Sequence, residues 1–253
     1  MAADGQNLLD AGGVASMSFA ISLVTMNRCA ILERVLDGIA ATCAAERPAI
    51  FVSDNGSTDG TPAMLREREA RGELRAWLLP ENVGIAKARN AHWGECIGKD
   101  TVRMDDKALP LTVGWLGILK RQSEWWHACI GTPYDPTVQV LWLYEPLYDF
   151  VEWNQAGEGG PVLFVPAALT EALGGWDEIE GLRYGWEDVL LNHRARLLGW
   201  RYGFSLRVKF EMLASASAAT RLQALDFHAA YMERRREYEE GLRDVFIPTG
   251  TVQ

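Results

Sequence analysis

Between residues 18 and 105, short apolar runs alternate with segments of helical period, and this order constrains the fold more than any other feature. The first run, SFAISLVT at 18–25, has the composition of a buried strand. After it Ile31, Leu32, Val35, Leu36, Ile39 and Cys43 recur at helical spacing. Pro48 opens a second run, AIFVSD, which ends in a polar turn containing glycine. Residues 61–71 predict a charged surface helix, 74–79 a third strand, 84–97 another helix and 101–104 a fourth strand ending at Asp105. Strands and helices in this alternation predict an α/β fold, with a parallel sheet covered by helices on both faces.

The second half is less regular. Residues 126–132, 137–144 and 161–165 read as strands, and 167–173 as a helix stopped by Gly174-Gly175. A helix is expected over 187–198, ended by Gly199, and a strand over 200–210. Residues 220–241 predict a closing helix with Leu222, Leu225, Ala229 and Met232 on one face. With no repeat and no Pro/Ser linker, the expectation is one domain over 17–246 behind a flexible leader at 1–16.

At 253 residues such a domain can bury about 70–75% of its unfolded surface, so a core needs no staple. The formal charge of −9 disfavours a general polyanion-binding surface, although a local basic cleft would be hidden in the total. Cys29, Cys43, Cys96 and Cys129 form no C-x-x-C pair, which leaves neither a zinc pattern nor a disulfide framework. Free thiols, an acidic N-terminus and no apolar run of membrane-spanning length lead to the expectation of a cytoplasmic protein without a transmembrane segment.

In parallel α/β sheets, ligands bind beyond the carboxyl ends of the strands. Here those ends carry Thr25-Met26-Asn27-Arg28, then DNGSTDGT at 54–61, NVGIAKARN at 82–90, and Asp105-Asp106-Lys107. Donors and carboxylates at successive strand ends describe a site for a polar, charged ligand.

These blocks, followed by GGWDE and GWEDVLLNHRARLLGWR, resemble glycosyltransferase family 2 in content and order over residues 21–201. The resemblance implies a GT-A fold: a Rossmann-like, mostly parallel central sheet flanked by helices, with a short antiparallel addition in the C-terminal half. Residues 17–107 would be the nucleotide-binding half and 108–246 the acceptor-binding half. The implied activity is inverting transfer of a sugar from a nucleoside diphosphate sugar, expected to be a UDP-sugar, to an acceptor hydroxyl. Glycan, lipid carrier, protein, small molecule and modified DNA base all stay open as acceptors, and a homodimer contact stays open too.

By the resemblance, Thr25, Asn27 and Arg28 approach the nucleotide base, Asp54 accepts a hydrogen bond from it, and Asn55, Arg89 and Asp105 contribute further nucleotide contacts. A carboxylate suits an imide N–H, and a guanidinium suits carbonyl or phosphate oxygens. Asp54-Asn55-Gly56 also reads as a plain Asx turn, and Lys87 as a solvated helix charge. Asp105 and Asp106 open the family's D-x-D motif, whose carboxylates hold Mg²⁺ or Mn²⁺ against the diphosphate. The motif's second Asp falls on Lys107, which has no lone pair for a metal at neutral pH. Either Lys107 itself neutralises the diphosphate, or Asp105 and Asp106 hold the metal by a shifted geometry. Glu211 falls where many relatives carry a metal-binding His.

The resemblance places the catalytic base in the Glu187-Asp188 pair, with Asp188 as the base and Glu187 orienting the acceptor or the base. Acids in a first helical turn also stabilise the helix dipole, so a purely structural role stays open. Gly175, Trp176 and Asp177 match a segment beside donor sugar and acceptor, where an indole could stack on a sugar; a helix C-cap and a core Trp are the alternative. The aromatic stretch at 141–153 could shape an acceptor pocket or form a hairpin or dimer contact. Two rivals remain: a nucleotide-sugar-binding protein without catalysis, and a nucleotidyltransferase, for which TMNR lacks the usual Gly-rich loop.

Overall fold

The computed structural model describes residues 19–132, 160–214 and 227–241, and the backbone of 150–152. The expected leader at 1–16, the strand at 137–144, nearly all of the aromatic stretch at 141–153 and the start of the 220–241 helix lie outside the described residues.

The predicted alternation is present. β1 (Phe19–Thr25), β2 (Ala49–Asn55), β3 (Arg75–Leu79) and β4 (Asp100–Asp105) are separated by α1 (Cys29–Thr42), α2 (Thr61–Ala70) and α3 (Ile85–Trp93). Next come β5 (Ala108–Pro110), α4 (Trp115–Trp126), β6 (Ala128–Gly131), β7 (Phe150–Glu152), β8 (Val162–Val165) and α5 (Ala167–Leu173). The described chain closes with α6 (Glu187–Leu197), β9 (Arg201–Ser205), β10 (Phe210–Met212) and α7 (His228–Glu239). The main sheet has the order β3-β2-β1-β4-β8-β6-β9-β7, with β5 and β10 paired separately. β8 and β7 run against the other strands, so the sheet is mixed but mostly parallel, and the β5–β10 pair is antiparallel.

Strand alternation sends side chains to two cores. Ile21 and Leu23 of β1 pack with Leu32, Val35 and Ile39 of α1 and with Trp115, Leu116 and Leu119 of α4. Ala20 faces the other way, into a cluster with Trp93, Leu169, Leu173 and Leu191 from the helices on the second face and Trp176 from the loop after Leu173. A strand buried on both faces must be apolar nearly throughout, which is why 18–25 reads as a continuous run.

Three sequence expectations need correction. Helix α4 has no counterpart among them; Gly114 and Gly117 interrupt the apolar pattern, yet Trp115, Leu116, Leu119 and Ser123 form one buried face. The strand expected over 200–210 divides at Ser205, because the chain leaves the main sheet to pair Phe210–Met212 with β5. On α7, Met232 is 44% exposed and Ala229 is also exposed, while Tyr231 and Tyr238 face the body of the protein. Aromatic burial, not the short aliphatic residues, sets that helix's orientation. Tyr231 stacks on Trp186 at 4.5 Å between centroids, the Tyr238 hydroxyl donates to Asp177 Oδ2 at 2.8 Å, and Arg234 pairs with Asp177 Oδ1.

One buried group gives the fold a pH signature. His92 lies between Ser22 and Ser53, with Nε2 at 2.6 Å and Nδ1 at 2.8 Å from their hydroxyls. Burial, then the neighbouring Arg89 charge, holds its pKa well below the ordinary histidine value. The unfolded chain therefore takes up a proton near pH ~6.5 that the native ring refuses. The stability that follows is present above that pH and lost as pH falls toward the native pKa. Glu187, pushed up to about 7, acts in the opposite sense, its contribution fading as pH rises from the ordinary carboxylate range. Comparing His92→Gln with the unmodified chain isolates the histidine. Urea unfolding at pH 5 and pH 7 should show a smaller acid loss of stability in the variant; equal losses would contradict a neutral, doubly bonded ring.

Candidate active site

Register brings the strand ends together. Thr25 sits beside Asp54, and Val24 beside Asp105. Past the ends, Asp106 Oδ2 accepts from Thr25 Oγ1 at 2.8 Å and Asp106 Oδ1 from Arg28 Nη1 at 2.6 Å. Burial raises the Asp106 pKa, while Arg28 and Thr25 pull it back.

Much of DNGSTDGT builds the rim. Asp54 Oδ1 accepts from the Ser57 amide, three residues on, at 3.1 Å and so fixes the turn. Burial raises the Asp54 pKa, opposed by its bonds to Ser57. Asn27 Oδ1 accepts from the Thr58 amide at 2.8 Å, and Asp59 accepts from the amides of Thr61 at 2.9 Å and Cys29 at 3.1 Å. Asn55 donates to Asn82 Oδ1 at 3.1 Å and accepts from the Val83 amide at 2.9 Å. Gly84 follows at φ +89°, and a Cβ there would stand 2.6 Å from the Leu182 carbonyl oxygen. That close approach lets the Ile85 amide reach the Arg183 carbonyl at 3.2 Å, bringing the 182–185 loop over the rim.

Beneath this loop lies a cavity of about 260 Å³ lined by Arg28, Arg89, Arg103, Asp105, Asp106, Lys107, Tyr184, Glu187 and Asp188 among others. A cavity of about 350 Å³ adjoins it, sharing Arg28, Asp106, Lys107 and Tyr184 and adding Thr25, Met26, Asn55 and Asn82. A third, of about 410 Å³, shares Tyr184 and Glu187 with the first and is lined by Lys87 and residues 178–183.

Arg103 organises the first cavity. Its guanidinium donates to Asp188 Oδ2 and, at 2.6 Å, to the Gly160 carbonyl, and lies 3.2 Å from Asp105 Oδ1. Lys107 Nζ is 3.7 Å from Asp105 Oδ2. Asp188 Oδ1 is buried with no hydrogen-bond partner among the described residues. Burial raises the Asp188 pKa against the pull of Arg103. Glu187 is pushed up to about 7 by burial, then by the Asp188 charge, and Tyr184 to about 12 by burial, then by Asp105. The fully buried Arg89 is lowered to about 10 by burial and then by Arg103, and it donates to the Ser22 carbonyl at 2.8 Å.

Of the residues singled out from sequence, Arg28, Arg89, Asp105, Asp106, Lys107, Glu187 and Asp188 share the first cavity, and Thr25 and Asn55 line the second. Asn27 and Asp54 line none of these cavities: Asn27 is exposed and Asp54 buried, and both hold the turns beside them. The sugar-stacking expectation for Trp176 is corrected: it is fully buried, edge-on to Trp93 at 5.4 Å and under Arg89 at 5.0 Å. Gly175 and Asp177 are structural as well, the Gly175 carbonyl accepting from Arg194 and Asp177 binding α7. Glu211 is exposed on β10 and lines none of these cavities. Sequence reasoning missed Arg103 and Tyr184. Arg103 had a signal: a lone cation inside an apolar strand must find a buried partner.

The residues present do not fit Mg²⁺ or Mn²⁺. Asp105 is paired with Arg103 and Lys107, Asp106 is bonded to Arg28 and Thr25, and the motif's second carboxylate is a lysine. Among the described residues no group of three or more His, Cys, Asp or Glu could hold a metal ion. No described helix is long and apolar enough to cross a membrane.

Residues 21–117 match the sequence model of Glycosyl transferase family 2. No curated protein matches the sequence. Among solved structures, the mannosyltransferase PcManGT from Pyrobaculum calidifontis, in complex with GDP-Man and Mn²⁺, is similar with a TM-score of 0.64 and 22% identity, over 86% of this chain and 64% of that one. GalNAc-T7 with UDP, GalNAc and Mn²⁺ gives 0.64 and 14%, over 87% and 50%. S. aureus TarS 1-349 in complex with UDP-GlcNAc gives 0.58 and 16%, over 79% and 62%. The chain thus spans between 50% and 64% of the length of these proteins. Residues 21–117 are thus similar to glycosyl transferase family 2, and the architecture is the GT-A fold.

Proposed function

We propose that the protein is an inverting glycosyltransferase that moves a sugar from a nucleoside diphosphate sugar, a UDP-sugar in our reading, to an acceptor hydroxyl. One observation carries this: a single cavity holds the carboxylates of Glu187 and Asp188 together with the cations of Arg28 and Lys107. Displacement at an anomeric carbon needs both, a base for the incoming hydroxyl and positive charge for the departing diphosphate. The adjoining cavity takes the nucleoside, with Thr25 and Asn55 in its wall and Asp54 directly before Asn55 in the chain. On this reading residues 17–107 serve the nucleotide and 108–246 the acceptor.

Asp188 is the base. Arg103 holds its Oδ2, so Oδ1 is the oxygen left to accept a proton. As the acceptor oxygen bonds to the anomeric carbon, its proton passes to Asp188 and the bond to the diphosphate breaks, its electron pair leaving on phosphate oxygen. Glu187, whose pKa is raised by burial and by the Asp188 charge, orients the hydroxyl by hydrogen bonding.

A thermal-shift panel of UDP-, GDP- and dTDP-sugars tests the reading. A cognate donor at 100 times its dissociation constant should add about 2.7 kcal/mol of stability. With acceptor present, nucleoside diphosphate should be released and the product should carry the opposite anomeric configuration by NMR. A panel without any stabilising nucleotide sugar would defeat the proposal.

A further inference from the structure

We infer that this chain meets the departing nucleoside diphosphate with its own cations, Lys107 and Arg28, in place of a divalent metal. The inference rests on the transfer reading above and concerns the chemistry of its donor site. Arg28, Asp106 and Lys107 line both the 260 Å³ and the 350 Å³ cavities. They therefore stand at the junction between the nucleoside pocket and the pocket of Asp188, where a diphosphate joins a nucleoside to a sugar.

Lys107 is fixed at that junction. Its carbonyl accepts from the Leu213 amide at 2.9 Å beside the β5–β10 pair, and its side chain is only 6% exposed. The separation of 3.7 Å from Asp105 Oδ2 is an ion pair too long for a direct hydrogen bond, so the ammonium keeps donors for an incoming anion. Arg28, whose side chain is 34% exposed, binds Asp106 through Nη1, which leaves the rest of its fork to donate. A divalent ion on Asp105 would instead sit beside Lys107 and Arg103, a like-charge arrangement without compensating ligands. When the bond from anomeric carbon to phosphate oxygen breaks, the electron pair stays on that oxygen; the lysine charge meets it and no proton need move.

The test is titration calorimetry of UDP and GDP, with uridine and guanosine as controls, in Mn²⁺ or in EDTA. The unmodified chain should bind its diphosphate equally in both, within about twofold. Lys107→Ala should weaken diphosphate binding by about tenfold or more while leaving nucleoside binding unchanged. Lys107→Arg, which keeps the charge, should retain metal-free binding and so separates loss of the cation from misfolding. Lys107→Asp restores the motif's carboxylate and should make diphosphate binding respond to Mn²⁺. Binding of diphosphate in Mn²⁺ but not in EDTA, or a Lys107→Ala variant that binds as the unmodified chain does, would overturn the inference and leave the transferase reading standing. If neither diphosphate binds under either condition, the inference and the UDP-sugar reading both fall.

Discussion

Asp188→Asn is expected to cut sugar transfer by about 10²–10⁴-fold while nucleoside diphosphate binding survives. The amide keeps the size of the side chain and can still offer an oxygen to Arg103, so the loop and helix positions are preserved. It cannot take a proton from the acceptor, so the loss should fall on kcat rather than on donor affinity. The pH profile supplies a second readout. Burial raises the Asp188 pKa above the ordinary carboxylate range, and the base must be ionised to act, so the rate should fall on acidification with an acid limb above that range. Steady-state kinetics from pH 5 to pH 8 would show both. An Asn variant with near-normal turnover would remove Asp188 from the chemistry and leave it as a helix-start acid.

Trp176→Ala is expected to cost about 3–5 kcal/mol of folding stability, the usual price of emptying a large aromatic site in a core. The indole has no exposed surface and packs against Trp93 and Arg89. Asn90 clamps its backbone from both sides, accepting from the amide at 2.8 Å and donating to the carbonyl at 2.9 Å. A tryptophan that stacked on a sugar would behave differently, losing substrate affinity with little change in unfolding. Urea unfolding of Trp176→Ala and Trp176→Phe decides the matter: a large loss for Ala and a smaller one for Phe is the signature of a core position. A stable Ala variant with weakened donor binding would reinstate the surface role.

How much of this was legible in the sequence depends on whether local pattern or distant packing decides a residue's place. The β1–β4 rim was legible because doubly buried strands must be apolar and parallel connections leave their polar ends on one edge. Lys107 was legible as a departure from a motif, and its loose pairing with Asp105 agrees with that departure. Trp176 was ambiguous because Gly-Gly-Trp fits a capped helix before a core residue as well as a ligand-facing loop; Trp93, 83 positions earlier, decides between them. Arg103 was passed over because strand periodicity says nothing about a buried cation, whose partner Asp188 lies 85 residues away. The face of α7 was misjudged because its anchors, Asp177 and Trp186, belong to a loop that no periodicity describes.

The fastening of α7 to that loop has a consequence for biosynthesis. Trp186, held in a left-handed conformation at φ +66°, stacks on Tyr231 and immediately precedes Glu187 and Asp188. A ribosome releases the nucleotide rim early, but the clamp behind the acidic pair cannot close until residues 228–239 have emerged. On the transfer reading proposed above, a nascent polypeptide would thus acquire a place for a sugar donor well before the acidic pair is held in position.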